Sequence, residues 1–165
     1  MITDDLVRLF CSNAIRAGAG TKIVTDADKL RQTVSELIGG AGSVYCPGVT
    51  ETEKALAICP ESRAGDYFDA AVTVEEVEAA IAETGTIVCL SSHGKALQAG
   101  LLPWHHVAIV LRERIFADLD EFFAGMGGPL PTNITFITGP SRTGDVELTL
   151  SVGVHGPGRL DVIIC

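Results

Sequence analysis

This chain of 165 residues lacks the features that define several large classes of protein. It contains no run of about eighteen apolar residues, so no membrane-spanning helix is predicted. It has 12 basic against 21 acidic residues and a net charge of −9. That balance argues against nucleic-acid binding, because phosphate neutralisation needs a basic face. The acidic first residues show no signal-peptide pattern, so we expect a cytoplasmic protein.

Common cofactor motifs are also missing. The five cysteines are scattered and none lies in a C-x-x-C pair, which predicts reduced thiols and no zinc or iron–sulfur site in this chain. Neither G-x-x-x-x-G-K-[ST] nor a G-x-G-x-x-G after a strand occurs, so nothing indicates nucleotide binding. We therefore expect no cofactor in this chain itself.

Aliphatic residues, in contrast, are plentiful. Hydrophobic residues make up 47% of the chain, mostly Ala, Val, Ile and Leu, whereas aromatic residues make up only 5%. The length fits one domain over residues 1–165. Short apolar runs alternate with segments whose apolar residues have helical spacing. This alternation predicts an α/β fold with a mostly parallel sheet flanked by helices.

Local patterns place the elements of this fold. Apolar spacing and capping residues predict helices that start at Thr3, Thr25, Thr50 and Thr73, and a further helix at 116–123. The helix after Thr73 is predicted to carry Val77, Ala80 and Ile81. Strands are predicted at 22–24, 44–46, 70–72, 86–90, 106–111, 134–138 and 160–164, and the alternation at 146–154 favours extended structure.

The densest polar segment follows the apolar run 134–138. Its residues have hydrogen-bonding side chains or turn geometry: Gly139, Pro140, Ser141, Arg142, Thr143, Asp145, Glu147 and, before a second turn, His155. Arg142 and the turn amides could hold an anionic ligand, with Asp145 or Glu147 orienting Arg142. The alternative is a surface turn stabilised by its own side chains, with Arg142 paired to Glu147. The residue types alone leave both interpretations open.

A second candidate segment comprises Glu83, Thr84, Gly85 and Thr86, at the start of the strand 86–90. Ligands in open α/β sheets usually bind outside the carboxyl ends of the strands. Glu83 could act as a general base or nucleophile if it were desolvated. The alternative is a solvated carboxylate at a helix end, with the two threonines serving only the turn.

The histidines give weaker signals. His93 lies in a polar loop without an acidic residue nearby to complete a triad. His105 and His106 are adjacent in a predicted strand, so they point to opposite faces and do not share a metal ion. We expect one of them to face the core and the other to be exposed.

The two candidate segments resemble the signature of the lactate-utilisation (LUD) domain family. Residues 137–147, Ile-Thr-Gly-Pro-Ser-Arg-Thr-Gly-Asp-Val-Glu, continue at 152–157 as Val-Gly-Val-His-Gly-Pro, and residues 83–86 resemble the family's second motif. The similarity is strong over roughly the C-terminal half and is greatest to the lactate utilisation protein C (LutC/YkgG) group. It implies a single LUD domain with a fold similar to the NagB/RpiA/CoA-transferase group.

The resemblance also implies a role in bacterial oxidation of L-lactate to pyruvate, beside two partner proteins that carry the iron–sulfur clusters. We then expect a small anionic metabolite or cofactor to bind between the Glu83 and Arg142 segments. Two alternatives remain open. One is a stand-alone enzyme that resembles CoA-transferases or isomerases, with Glu83 as base or nucleophile. The other is a non-catalytic assembly subunit.

Overall fold

The computed structural model describes residues 4–56, 58, 64–91, 95–128, 130–144, 150–152 and 156–165. Within them, two β-sheets, a separate hairpin and four α-helices build an α/β fold with a parallel sheet, which confirms the predicted fold class. None of the helices in these residues is long and apolar enough to cross a bilayer. The helices are α1 (Asp4–Arg16), α2 (Ala27–Ile38), α3 (Glu51–Ala55) and α4 (Leu119–Gly125).

Most of the predicted strands are found within one or two residues of their expected positions. The strands are β1 (Gly20–Ile23), β2 (Val44–Tyr45), β3 (Val72–Glu76), β4 (Ala79–Ile81), β5 (Thr86–Leu90), β6 (His105–Val110), β7 (Ile115–Phe116), β8 (Ile134–Ile137), β9 (Arg142–Gly144), β10 (Leu150–Val152) and β11 (Arg159–Ile164).

The first sheet is entirely parallel, in the order β1-β11-β6-β3-β2. Every residue of β6 is buried, as is typical of a central strand covered on both faces. The second sheet has the order β7-β4-β5-β8, in which β5 runs antiparallel to both of its neighbours. β9 and β10 form an antiparallel pair of their own.

Three apolar cores hold these layers together. On one face of the first sheet, α2 packs through Leu30 and Val34 against residues such as Ile109. On the opposite face, α1 and the second sheet share a core that includes Phe10 and Ile87. α4 covers the far side of the second sheet through Phe122. Because the central strands are covered on both faces, polar side chains on them become buried.

Helix starts follow local capping chemistry. α3 begins with the predicted capping box, in which Thr50 accepts from the backbone N–H of Glu53 and the Glu53 carboxylate accepts from that of Thr50. α2 differs from the prediction by one residue. Its cap is Asp26 rather than Thr25, and the Asp26 carboxylate accepts from the Lys29 N–H over 2.8 Å.

The helix predicted after Thr73 is wrong. That segment forms β3 and β4 instead. Thr73 lies opposite His106 in the first sheet, and Ala80 lies opposite Ile87 in the second. Pairing with strands distant in sequence overrides the helical spacing, because both strands are buried and lie between neighbouring strands that hydrogen-bond to them.

Candidate functional site

The two segments that the sequence predicts to form a site meet at one end of the second sheet. β5 begins there, and the antiparallel strand β8 ends there. The hydroxyl oxygens of Thr86 and Thr138 lie 2.7 Å apart, and that of Thr84 lies 2.7 Å from that of Thr86. The 83–86 segment and the start of the 138–142 segment are therefore in direct contact.

Glu83 lies in the hairpin turn that joins β4 to β5, not at the end of a helix. The side-chain amide of Asn13 donates to the carbonyl oxygens of Ala82 and Glu83, over 2.9 and 3.0 Å, and this fixes the turn to α1. Residue Glu83 itself is exposed. Its carboxylate therefore lacks the desolvated surroundings that would favour a role as general base or nucleophile.

Two glycines allow both segments to approach the backbone of α1 closely. Gly85 has a φ of 68° and Gly139 a φ of 71°, a conformation that other residues rarely adopt. A Cβ at Gly85 would lie 2.6 Å from the Cα of Ala14, and one at Gly139 would lie 2.9 Å from the carbonyl carbon of Ala17. The Gly85 turn is thus built against the C-terminal half of α1, and the Gly139 turn against the residue that follows α1.

A cavity of about 450 Å³ opens beside the 138–142 segment, and we call it the arginine cavity. Arg16 and Arg142 line it together with the hydroxyl-bearing Thr138 and Ser141. No Asp or Glu is present among its described lining residues, which also do not include Glu83. Over the whole chain, acidic residues outnumber basic ones by 21 to 12. The cavity therefore concentrates positive charge in an acidic protein.

The two arginines come from different elements. Arg16 is the last residue of α1, and Arg142 is the first of β9; both are exposed. Neither guanidinium lies within 4.0 Å of a carboxylate among the residues that the structure describes. Beside them, the backbone N–H of Ser141 donates to the carbonyl of Pro157 over 2.8 Å, which ties the turn to the segment before β11. Among the described residues, neither guanidinium group is therefore neutralised by an ion pair.

Part of the predicted site lies outside the described residues, namely Asp145, Glu147 and His155; the same holds for His93. Thr143 lies within β9, where its backbone is opposite Ser151 of β10. The extended structure predicted for residues 146–154 is confirmed at 150–152. Sequence reasoning missed Arg16, because nothing near it in the chain marks the end of α1 as a neighbour of the 138–142 segment.

A buried ion pair was also missed. Glu53 Oε1 lies 2.8 Å from Lys95 Nζ, and the Glu53 side chain has no exposed surface. The same carboxylate accepts from the backbone N–H groups of Val49 and Glu76, over 2.8 and 2.9 Å. Burial raises the pKa of Glu53, but the hydrogen bonds from Lys95 and the backbone outweigh it and hold the pKa below its usual value of 4.5. The sequence identified Glu53 only as a capping residue.

A second buried pair joins the two strands at the centre of the first sheet. His106 Nε2 lies 3.1 Å from Glu75 Oε1, and the two side chains are 0% and 6% exposed. Neither nitrogen of His106 makes a well-directed hydrogen bond to a described residue. The expectation of one buried and one exposed histidine is wrong, because His105 is buried as well. In the described part of the chain, no three His, Cys, Asp or Glu residues form a group that could hold a metal ion.

His105 is part of a third polar cluster, on the other face of the sheet. Its Nε2 lies 2.8 Å from Asp161 Oδ2, which also accepts from Arg159 Nε over 2.7 Å. Burial raises the pKa of Asp161, but the hydrogen bond with His105 and the charge of Arg159 outweigh it. The pKa of Asp161 therefore lies below its usual value of 3.8.

We expect Asp161→Asn to destabilise the protein by about 1–3 kcal/mol at pH 7, because it removes a charge-assisted hydrogen bond from a buried cluster. A carboxylate whose pKa is lowered by folding stabilises the fold above its unfolded pKa and loses this effect as the pH falls through its folded pKa. The difference in free energy of unfolding between the wild type and the variant should therefore shrink below about pH 3.8. Urea unfolding of both proteins from pH 7 to pH 2 tests this, and a constant deficit over that range contradicts it.

The profile of the LUD domain family matches residues 61–165. The chain is 39% identical over 90 residues to lactate utilization protein C of Halalkalibacterium halodurans, an alignment that covers 51% of this chain and 39% of the relative. It is 30% identical over 166 residues to lactate utilization protein C of Macrococcus caseolyticus, covering 86% of this chain and 70% of the relative. The chain spans less than half the length of the first curated relatives that it matches.

The fold is also found in a solved structure. A DUF162 family protein from Deinococcus radiodurans superposes with a TM-score of 0.69 at 19% identity, covering 97% of this chain and 96% of that one. This likeness concerns the fold, whereas the family profile covers most of the chain and includes both candidate segments. The chain belongs to the LUD domain family.

Proposed function

We propose that this chain serves lactate utilisation by binding a small carboxylate in the arginine cavity. Its relatives in Halalkalibacterium halodurans and Macrococcus caseolyticus carry the name lactate utilization protein C. Lactate and pyruvate are monocarboxylates with one further oxygen next to the carboxyl group. A site for them needs a cationic donor for the carboxylate and a neutral hydrogen-bonding group for that oxygen.

The observation that carries this proposal is the charge of the arginine cavity. Two arginines line it, and its described lining residues include no carboxylate, in a chain with a net charge of −9. Unpaired guanidinium groups cluster where an anion offsets their mutual repulsion, and the planar guanidinium can hold a carboxylate through two parallel hydrogen bonds. Arg142 is the better placed for this contact, since it extends from the Gly139 turn that forms the cavity wall.

In this proposal the remaining candidate residues have supporting roles. Thr138 and Ser141 supply hydroxyl groups for the second oxygen of the ligand. Thr86, which contacts the Thr138 hydroxyl at 2.7 Å, positions that hydroxyl. Glu83 takes no part in the chemistry, because it is exposed and does not line the cavity. A stand-alone enzyme that uses Glu83 as its base therefore finds no support in this geometry.

We further propose that the redox step takes place on partner proteins that carry iron–sulfur clusters. The sequence contains no C-x-x-C pair with which to hold such a cluster. The chain would then bind the substrate or product while a partner accepts the electrons. Co-purification with iron-containing subunits from a host that grows on lactate tests this part of the proposal.

We expect Arg142→Ala to weaken the binding of L-lactate or pyruvate by about 1.5–3 kcal/mol, which corresponds to roughly 10- to 150-fold in Kd. The reason is the loss of a charge-assisted hydrogen bond from the cavity wall. Arg16→Ala should act in the same direction. Isothermal titration calorimetry measures both effects.

Arg8→Ala is the matched control, because Arg8 lies on the same helix as Arg16, is exposed and pairs with Asp5 at 3.9 Å. Its affinity for L-lactate should equal that of the wild type. L-lactamide, the neutral analogue, should bind much more weakly than L-lactate. Unchanged lactate affinity in Arg142→Ala, or equal binding of lactate and lactamide, contradicts the proposed function.

A further inference from the structure

A second cavity, of about 400 Å³, lies at the carboxyl ends of β3 and β6. This edge is where open α/β sheets usually bind their ligands. Three carboxylate residues line the cavity, Glu75, Glu76 and Glu78, and we call it the acidic cavity. It shares no described lining residue with the arginine cavity. The two cavities are thus separate and differ in charge.

The cationic side chains that line the acidic cavity are already paired. Lys95 Nζ lies 2.8 Å from Glu53 Oε1, and the Arg114 guanidinium pairs with Glu78. Glu76 Oε2 accepts from the hydroxyl of Thr50 over 3.2 Å. Among the described lining residues, these contacts leave Glu75 and Glu76 without a Lys or Arg partner, and of the two only Glu76 accepts from a hydroxyl group.

Glu75 is enclosed despite facing this cavity, since only 6% of its side chain is exposed. Among the described residues, its ion-pair partner is His106, whose ring is fully buried and makes no well-directed hydrogen bond to a described residue. Buried polar groups are stable in a fold when hydrogen-bond donors and acceptors are matched. A ligand that donates hydrogen bonds to Glu75 would complete this pair.

The backbone packs closely against this pair. Gly100 ends the short 3₁₀ turn Leu97–Gly100, which covers Glu75 and His106. A Cβ at Gly100 would lie 2.8 Å from Glu75 Oε1 and 2.9 Å from His106 Cε1. This close approach leaves no room beside the pair for a larger residue at position 100.

Aliphatic side chains form much of the remaining wall of the acidic cavity: Val49, Val77, Leu90, Leu97 and Leu111. We propose that it binds a small organic cation, an ammonium group on a short apolar body, whose N–H groups donate to Glu75. A carboxylate in an enclosed site with no Lys or Arg partner among the described residues favours a cationic donor, because charge-assisted hydrogen bonds are about twice as strong as neutral ones. The aliphatic wall fits the apolar part of the ligand.

Titration of the ¹⁵N-labelled wild-type protein with three ligands of one size tests this proposal: n-butylammonium, n-butyrate and n-butanol. We expect n-butylammonium to shift the amide resonances of Val77 and Leu97 in a saturable way. n-Butyrate should leave them unchanged, and n-butanol should bind more weakly than the ammonium. Saturable shifts with n-butyrate that equal those with n-butylammonium, or no saturable shifts with n-butylammonium, overturn the proposal.

Glu75→Gln should reduce the affinity for n-butylammonium by at least about 10-fold, since it replaces the charged acceptor with a neutral amide of the same shape. Glu36→Gln makes the same change at an exposed position of α2 and should leave the affinity unchanged. Unaltered affinity in Glu75→Gln overturns the proposal. If that variant does not fold, the comparison of the three ligands on the wild-type protein tests the proposal instead. L-lactate binding is expected to survive Glu75→Gln, so the result is independent of the proposed function.

Discussion

Gly85→Ala should destabilise the protein by about 3–5 kcal/mol, as measured by urea unfolding at pH 7. The backbone of Gly85 has a φ of 68°, which costs any residue with a Cβ about 1–2 kcal/mol. The added methyl would also lie 2.6 Å from the Cα of Ala14. That neighbour is helix backbone, which cannot move aside as a flexible side chain would, so the hairpin turn must separate from α1.

Gly40→Ala is the matched control for this variant. Gly40 has a similar φ of 75°, but a Cβ there would meet no atom within 4 Å. Its substitution should therefore cost only the conformational strain, about 1–2 kcal/mol. Equal losses for Gly85→Ala and Gly40→Ala would show that the contact between the hairpin turn and α1 contributes nothing to stability.

Lys95→Met should destabilise the protein by about 3–5 kcal/mol at pH 7. Methionine keeps the long unbranched stem, so the change mainly removes the ammonium group that lies 2.8 Å from the fully buried carboxylate of Glu53. The carboxylate then has no counter-ion within a buried site, and breaking such a pair costs far more than breaking one at the surface.

Lys54→Met provides the comparison, because Lys54 and Glu51 form an ion pair of similar length, 2.7 Å, with side chains 54% and 91% exposed. Solvent screens this pair, so its loss should change the free energy of unfolding by less than about 0.5 kcal/mol. If both methionine variants lose the same stability, burial is not what gives the Glu53–Lys95 pair its importance.

The deficit of Lys95→Met should also depend on pH. In the wild type the pKa of Glu53 is lowered by folding, so its contribution is present above its usual pKa of 4.5 and is lost as the pH falls below that value. In the variant the lowering effect of Lys95 is lost, so the pKa of Glu53 is higher than in the wild type, and protonation then relieves the uncompensated charge. Both effects make the difference between the two proteins shrink from pH 7 towards pH 4. A difference in the free energy of unfolding that grows from pH 7 towards pH 4 would contradict this role of the Glu53–Lys95 pair.

Local chemistry was sufficient to predict much of the fold. The capping box of Thr50 and Glu53 is present as predicted, and the runs at β5, β6, β8 and β11 form strands near their expected bounds. In each of these elements, a few neighbouring residues are enough to indicate the secondary structure. The failure at β3 and β4 has the opposite cause. Their sequence has helical spacing, and only pairing with β6 and β5 makes them strands.

The candidate site likewise has one part that local sequence predicts and another that it does not. The turn at Gly139 and the neighbouring Arg142 were predicted from adjacent residues, and the contact between Thr86 and Thr138 follows from antiparallel pairing of β5 with β8. Residues that join a site from distant elements were not predictable. Arg16 reaches the arginine cavity from the end of α1, and Lys95 reaches Glu53 across 42 positions of sequence.

The place of β11 in the first sheet has a consequence for biosynthesis. This strand, the last that the structure describes, lies between β1 and β6, and it pairs Asp161 with Gly20. Until β11 has been made, β1 and β6 lack the strand that lies between them, and their edges expose unpaired backbone N–H and C=O groups to other nascent chains. The N-terminal strand therefore joins its sheet only after β11 has emerged. Closing so long a loop slows folding, and chaperones that shield strand edges have the most to contribute in that interval.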